Sequence, residues 1–455
     1  PPWGGIYDSE LADSVGRRMG LGEFSDLDSW ELFLGLVLNS LKPGGRFALL
    51  IPETVLSADK RRIRKWLLER TTVEKVYALG ADWFTADVRM GTVIVQAANS
   101  PPGSNSHFYS MVIAGKERHE AQSGTKPIEQ LEFAARHDSN QRRCLMSDDA
   151  QIPVLASEQE LDLLKRIFEN SVAISGITTH ARGDEINADG LVWTCGSCQA
   201  NTVPGEKKKG GRYESKICPT CGAHMSEENI RVQLIISGLK TGPYDVAYVD
   251  GGSLTRRYQN PQIRFMRTDL SVIPALKSAD IFAAPKILIR QAGVGITATL
   301  DKNSSRCPQS VYIYRCTPEA VQLGYNNEFI LGCLVSRTMN YVCMKKYAEI
   351  DPAKAFAKLT HARIAPFPIP KLSTEHDRRS AQEVSDLVSN MLQVPSYGSS
   401  TDHRIEVLLR QLWKISGDEG RFINGFFSTL PDGQAVRDLF PGGAPSRVPF
   451  PVHQS

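Results

Sequence analysis

Four cysteines carry the clearest chemistry in the sequence. Cys195-Gly-Ser-Cys198 and Cys218-Pro-Thr-Cys221 are two CxxC pairs with 19 residues between them. Each pair sets two thiolates on one tight turn. Two such turns build a tetrahedral four-sulfur shell, the preferred coordination of structural zinc. Gly222 follows the second pair and permits the sharp turn around a metal. His224 lies close by, but four thiolates already fill the shell. A redox dithiol needs one CxxC opening a helix, not two matched pairs. A filled shell leaves no open position for catalysis. The other five cysteines, Cys144, Cys307, Cys316, Cys333 and Cys343, are scattered. Two tight pairs fit a metal site in a reducing compartment better than a disulfide framework.

The second chemistry is cationic. Arg182, Arg256, Arg257, Lys286 and Arg290 can neutralise phosphates or read guanine edges with a fork of N–H donors. Gln291 suits adenine, and Tyr258 can stack on a base. Singly, each is equally well explained as ordinary surface; as a group they point to DNA. Glu206–Arg212, with three lysines, lies between the cysteine pairs; a solvated loop and a phosphate contact stay equally open. Lys60, Arg61, Arg62, Arg64 and Lys65 make another basic face, with Trp66 and its neighbouring leucines as core. The net charge of +3 neither demands nor excludes a nucleic-acid partner. A content of 41% hydrophobic and 23% charged residues is that of a globular protein, and no apolar run of about 18 residues predicts a membrane span.

These residues need elements to place them. Asp28–Leu41 is apolar at helical spacing and is stopped by Lys42-Pro43-Gly44-Gly45. Arg46–Ile51, Val73–Leu79 and Thr92–Ala97 read as strands, with a basic amphipathic helix at Lys60–Arg70. Strands alternating with helices predict a parallel-rich α/β sheet, but three strands are too few for a complete doubly wound one. The expected missing strands lie upstream. Residues 1–100 therefore read as a partial catalytic-type α/β domain. Residues 101–174 read as a linker with a short edge element and a connecting helix, Ser157–Asn170. Residues 175–372 mix short strands with turns and hold a zinc ribbon at 193–224. Residues 373–430 are helical, and 431–455 read as a disordered tail, its last stretch rich in Pro, Gly and Ser.

The opening Pro1-Pro2-Trp3-Gly4 is weak by itself. With the order of elements behind it, and with Trp83-Phe84 before the last strand, the first 100 residues resemble the second half of the catalytic domain of adenine-N6 DNA methyltransferases of restriction-modification and related phage-defence systems. Their motif is an acid or amide followed by Pro-Pro and an aromatic. The resemblance implies a Rossmann-like sheet of which this chain holds the C-terminal half. It also implies methyl transfer from S-adenosylmethionine to the amino group of an adenine flipped out of the duplex. Trp3 would stack on that base, the carbonyl of Pro1 would accept one of its amino hydrogens, and Pro2 completes the rigid turn. Phe84 matches a second aromatic of the base pocket, with a core position equally open. The first motif residue and the cofactor site are expected upstream, so the chain alone is expected to be inactive; no Gly-rich strand-to-helix turn with a ribose-binding acid stands out.

Further segments resemble the TaqI-like C-terminal specificity domain of such enzymes: Ala181–Ile186, Ala284–Ile296, Glu328–Ser336 (with Val335 where an Asn is usual) and Arg363–Pro370. The implied partners are double-stranded DNA and a restriction or defence-system subunit, with no membrane. The implied location is the prokaryotic cytoplasm, associated with the nucleoid. A non-catalytic DNA-binding specificity module is the competing reading. An RNA or protein methyltransferase sharing the motif fits less well, because of the specificity-domain segments.

Overall fold

A computed structural model of the chain describes residues 9–21, 27–57, 60–80, 83, 91–113, 115–127, 135–147, 150–187, 190–207, 211–254, 257–258, 261–293, 295–347, 359–395 and 399–428. They fall into two compact units. The described residues up to 165, with 344–347, make the first; 166–343 and 359–428 make the second.

The first unit opens with α1 (Ser9–Arg18) and α2 (Ser29–Ser40). α2 forms because Trp30, Leu34 and Leu38 recur at helical spacing, and all three are buried. Asp28 and Glu31 close a capping box at its start. The helix ends where Gly44 adopts φ 76° and the Gly45 amide donates to the Lys42 carbonyl at 2.8 Å. The Asn99 side-chain amide then donates to the last carbonyls, Leu38 O at 3.0 Å and Leu41 O at 2.9 Å.

β1 (Arg46–Pro52), α3 (Arg61–Arg70), β2 (Thr72–Gly80), β3 (Thr92–Ala98), β4 (His107–Val112), α4 (Gly115–Gln122), β5 (Ala135–Asn140), α5 (Gln141–Met146) and α6 (Glu158–Glu169) follow. The strands form one sheet in the order β1-β3-β2-β4-β5. This corrects the parallel-rich expectation. Only β2 and β4 pair in parallel; β3 is antiparallel to both β1 and β2, and β5 to β4. β1 and β2, joined through α3, do run the same way, but β3 comes straight back from β2 and inserts between them. A strand–helix–strand pattern fixes relative direction and leaves open which strand becomes the neighbour. Within the stretch read as a linker with a short edge element, residues 107–140 add two strands, β4 and β5, at one edge of this sheet. Trp30, Ile51, Leu67, Val76, Val93, Val95 and Phe108 lie in its core.

The second unit carries several small sheets. β6 (Ser171–Ala173) pairs with β20 (Pro368–Pro370). β7 (Thr178–Arg182), β17 (Lys286–Arg290), β18 (Ala298–Asp301) and β19 (Val311–Cys316) form a sheet ordered β18-β17-β19-β7. β8 (Leu191–Cys195), β9 (Asn201–Thr202), β12 (Ile230–Leu234) and β16 (Val272–Ile273) form another, β12-β8-β9-β16. β10 (Lys216–Ile217) pairs with β11 (His224–Met225), and β15 (Arg264–Arg267) lies between β13 (Ile236–Ser237) and β14 (Asp245–Tyr248). Ile287-Leu288-Ile289 in β17 is buried on both faces, as a central strand requires. The helices are α7 (Pro318–Gln322), α8 (Asn327–Leu334), α9 (Arg337–Tyr347), α10 (His361–Ile364), α11 (Glu375–Gln393), α12 (Ser400–Leu412) and α13 (Gly417–Ser428). α11 packs on α8 and α12.

Candidate metal centre and recognition surface

β8 delivers Cys195, and the β10–β11 hairpin carries Cys218 and Cys221 on its turn. The two CxxC turns have the same internal bonding. The Cys195 amide donates to Ala200 O (2.9 Å) and the Gln199 amide to Cys195 O (2.9 Å); the Cys218 amide donates to Ala223 O (2.8 Å) and the Gly222 amide to Cys218 O (3.0 Å). The residue after each second cysteine is left-handed, Gln199 at φ 60° and Gly222 at φ 74°. The four Sγ atoms lie within 4.8 Å of one another, with Cys195–Cys221 at 3.8 Å and Cys198–Cys218 at 3.7 Å. Tetrahedral sulfurs about 2.3 Å from a zinc ion would stand about 3.8 Å apart, so the cluster has the size and donor chemistry of such a shell. Backbone amides favour the thiolate at Cys195 and Cys218. Those of Cys198 and Ser197 pull the Cys195 thiol below its ordinary value, and those of Cys221 and Thr220 draw Cys218 down to about 6. Trp193 and Met225 pack beside Cys195 and Cys218, with Tyr213 and Ile230 at the margin. His224 is exposed and is not among the clustered donors. In the charged loop between the pairs, the Lys207 ammonium lies 5.6 Å from the centre of the Tyr213 ring; Lys208 and Lys209 lie outside the described residues.

The residues expected on DNA separate into two groups. Lys286, Arg257, Tyr258 and Gln291 are enclosed, which corrects their reading as DNA contacts. The Lys286 ammonium donates to Asp301 and, at 2.7 Å, to Phe282 O. Burial pulls its pKa below the ordinary lysine value against the attraction of Asp301. Arg257 meets Asp402 with both terminal nitrogens, at 3.1 and 2.8 Å, and neither residue is exposed. Tyr258 is fully buried at φ 52° and cannot stack on an outside base. The Gln291 amide donates to the Tyr312 hydroxyl at 3.0 Å. A buried charge or amide must find its partner inside the fold, and these four residues lie inside it.

Arg290 and Arg182 behave differently. Arg290 ends β17 half-buried, and its guanidinium donates to Leu254 O at 3.3 Å. Its side chain lies along Gly293, where an added Cβ would stand 3.1 Å from both Cδ and Nε. Arg182 is exposed at the end of β7 and reaches Gln309 O and Oε1 only at 3.4 Å. Among the described residues neither arginine pairs with a carboxylate. Lys277, which no sequence signal singled out, donates to Arg182 O at 3.1 Å.

Arg256, and with it Pro1, Pro2, Trp3 and Phe84, lies outside the described residues. The basic face on α3 is partly structural: Arg64 is buried and donates to Val55 O (2.7 Å) and Ala150 O (3.1 Å), while Lys60 pairs with Glu31 at 2.9 Å. Trp66 is core, as expected.

No curated protein sequence matches the chain. Among solved structures it is similar to the type IIL restriction-modification enzyme MmeI in complex with DNA (10% identity, TM-score 0.47, 96% of this chain and 55% of that one). It is also similar to the type IIG restriction endonuclease BpuSI (13%, TM-score 0.31, 92% and 54%) and to DrdV in a DNA complex (10%, TM-score 0.42, 86% and 43%). The chain spans about half the length of the first two. Residues 246–369, the stretch holding Arg257, Lys286, Arg290 and Gln291, match the family model of the TaqI-like C-terminal specificity domain.

Proposed function

We propose that the chain is part of a site-specific DNA methyltransferase of a restriction-modification or phage-defence system, acting on adenine N6. The specificity-domain match over residues 246–369, downstream of an α/β unit, carries this reading. S-adenosylmethionine would supply the methyl group, and no described residue is assigned to hold it. Pro1, Pro2, Trp3 and Phe84 would line the flipped-base pocket, and double-stranded DNA would be the substrate. Arg290, with no carboxylate partner among the described residues and with room made by Gly293, would present its guanidinium to a guanine edge. Cys195, Cys198, Cys218 and Cys221 would hold one zinc ion, which fixes the two CxxC turns to each other.

Methylation-sensitive sequencing of DNA from cells expressing the full-length protein tests the proposal. N6-methyladenine at one recurring sequence is the expected result; a well-expressed protein that leaves adenine unmodified overturns it. One observation favours a second reading, a specificity module without catalysis: the family match covers the specificity domain and not residues 1–100. Sequence-specific binding with no methylation would support that module.

A further inference from the structure

Arg182-Gly183-Asp184 sends its two charges in opposite directions. Gly183 passes so close to the Cys307–Pro308 backbone that a Cβ would sit 2.1 Å from Cys307 O, so only glycine fits. Asp184 then turns inward, fully buried. It accepts the Lys277 amide at 2.9 Å and pairs with Arg306 at 3.4 Å. Arg306 in turn donates to the Lys277 carbonyl at 3.1 and 2.6 Å. The Lys277 backbone is thus held on both sides by one ion pair, and its ammonium is delivered to the carbonyl of Arg182. The one buried acid here, Asp184, is occupied by Arg306. Glu185 and Asp280, exposed and nearby in sequence, form no ion pair with Arg182 or Lys277 among the described residues.

The Arg182 contacts to Gln309, all at 3.4 Å, are long enough for a stronger acceptor to replace. From this arrangement we infer that Arg182 and Lys277 form a phosphate-binding pair for the DNA backbone, with Asp184 and Arg306 as positioning residues. The inference rests on the DNA-binding reading above and adds a contact that is blind to base sequence, in contrast to the guanine contact proposed for Arg290.

The test measures the affinity of the full-length protein for two short duplexes of unrelated sequence over a series of salt concentrations. Arg182→Gln and Lys277→Gln are each expected to lower the slope of log K against log salt by about 0.9, equally on both duplexes. Arg182→Lys, which keeps the charge, should retain most of the slope. Unchanged thermal midpoints in the Gln variants would exclude misfolding. A wild-type protein that binds both duplexes while the Gln variants keep its slope overturns the pair and leaves the DNA-binding reading intact. So does a loss confined to one duplex, since that would mark base readers. A wild-type protein that binds neither duplex overturns both readings.

Discussion

Asp402→Ala should destabilise the second unit by about 3–5 kcal/mol, the usual cost of stripping one partner from a buried ion pair. The local geometry gives the same scale. Arg257 loses two charge-assisted hydrogen bonds, at 3.1 and 2.8 Å, worth about 1.5–3 kcal/mol each. The Arg257 guanidinium is wholly buried. Burial opposes its charge, and the Asp402 carboxylate outweighs that and holds its pKa above the ordinary arginine value. Arg257→Ala should cost less, because Asp402 also stands 3.5 Å from Arg337. The double variant Arg257→Met/Asp402→Leu should cost less than Asp402→Ala alone, since no charge is left stranded. Urea denaturation followed by tryptophan fluorescence reads all three, with Trp413 buried just beyond α12 as one reporter. An Asp402→Ala variant within about 0.5 kcal/mol of wild type would refute the ion-pair argument. A double variant that regains stability yet loses DNA affinity would restore Arg257 as a DNA contact.

Elemental analysis should find one zinc per chain and none in Cys221→Ser; a zinc-free wild-type protein would sink the four-thiolate reading. Arg290→Ala should lower discrimination at a single base pair by about 1–3 kcal/mol, and an even loss across all sequences would assign Arg290 to phosphate instead. His180 stacks on His361 with ring centres 3.4 Å apart, and Tyr314 Oη lies 2.9 Å from His361 Nδ1. Partial desolvation of this exposed ring, and then His361, hold the His180 pKa below its ordinary value, so the folded state favours the neutral ring. The resulting stability is present above the unfolded pKa and is lost as pH falls through and below it. Thermal midpoints of His180→Phe should therefore fall less than those of wild type between about pH 7 and pH 5; parallel curves would remove His180 from the acid response.

How legible each part was depended on how far away its partner lay. The CxxC turns could be read because each holds its ligands within four residues, and two short motifs imply the shell. α2 could be read because its apolar stripe and capping box are local. β3 was legible as a strand, but its place between β1 and β2 is a property of the sheet. β4 was missed because His107, Tyr109 and Ser110 dilute its apolar residues, although Phe108, Met111 and Val112 are buried.

The cations show the limit most sharply. Arg256 and Arg257 are neighbours in sequence and read alike, yet the fate of Arg257 is decided by Asp402, 145 positions away. Lys286 and Arg290 share one strand, but Asp301 neutralises the first, and among the described residues no acid reaches the second. A basic residue is therefore best judged by what charge remains after the fold has formed its internal pairs. By that criterion Lys286 and Arg257 hold the second unit together. Arg290, Arg182 and the unforeseen Lys277 keep charge available to an outside anion. Buried pairs are costly to assemble, and here Asp184 and Arg306 also fix the backbone that carries a free cation. The internal ion pair thus sets the position of the outward charge, and substituting either member should disturb the salt dependence of DNA binding while leaving Arg182 and Lys277 themselves unaltered.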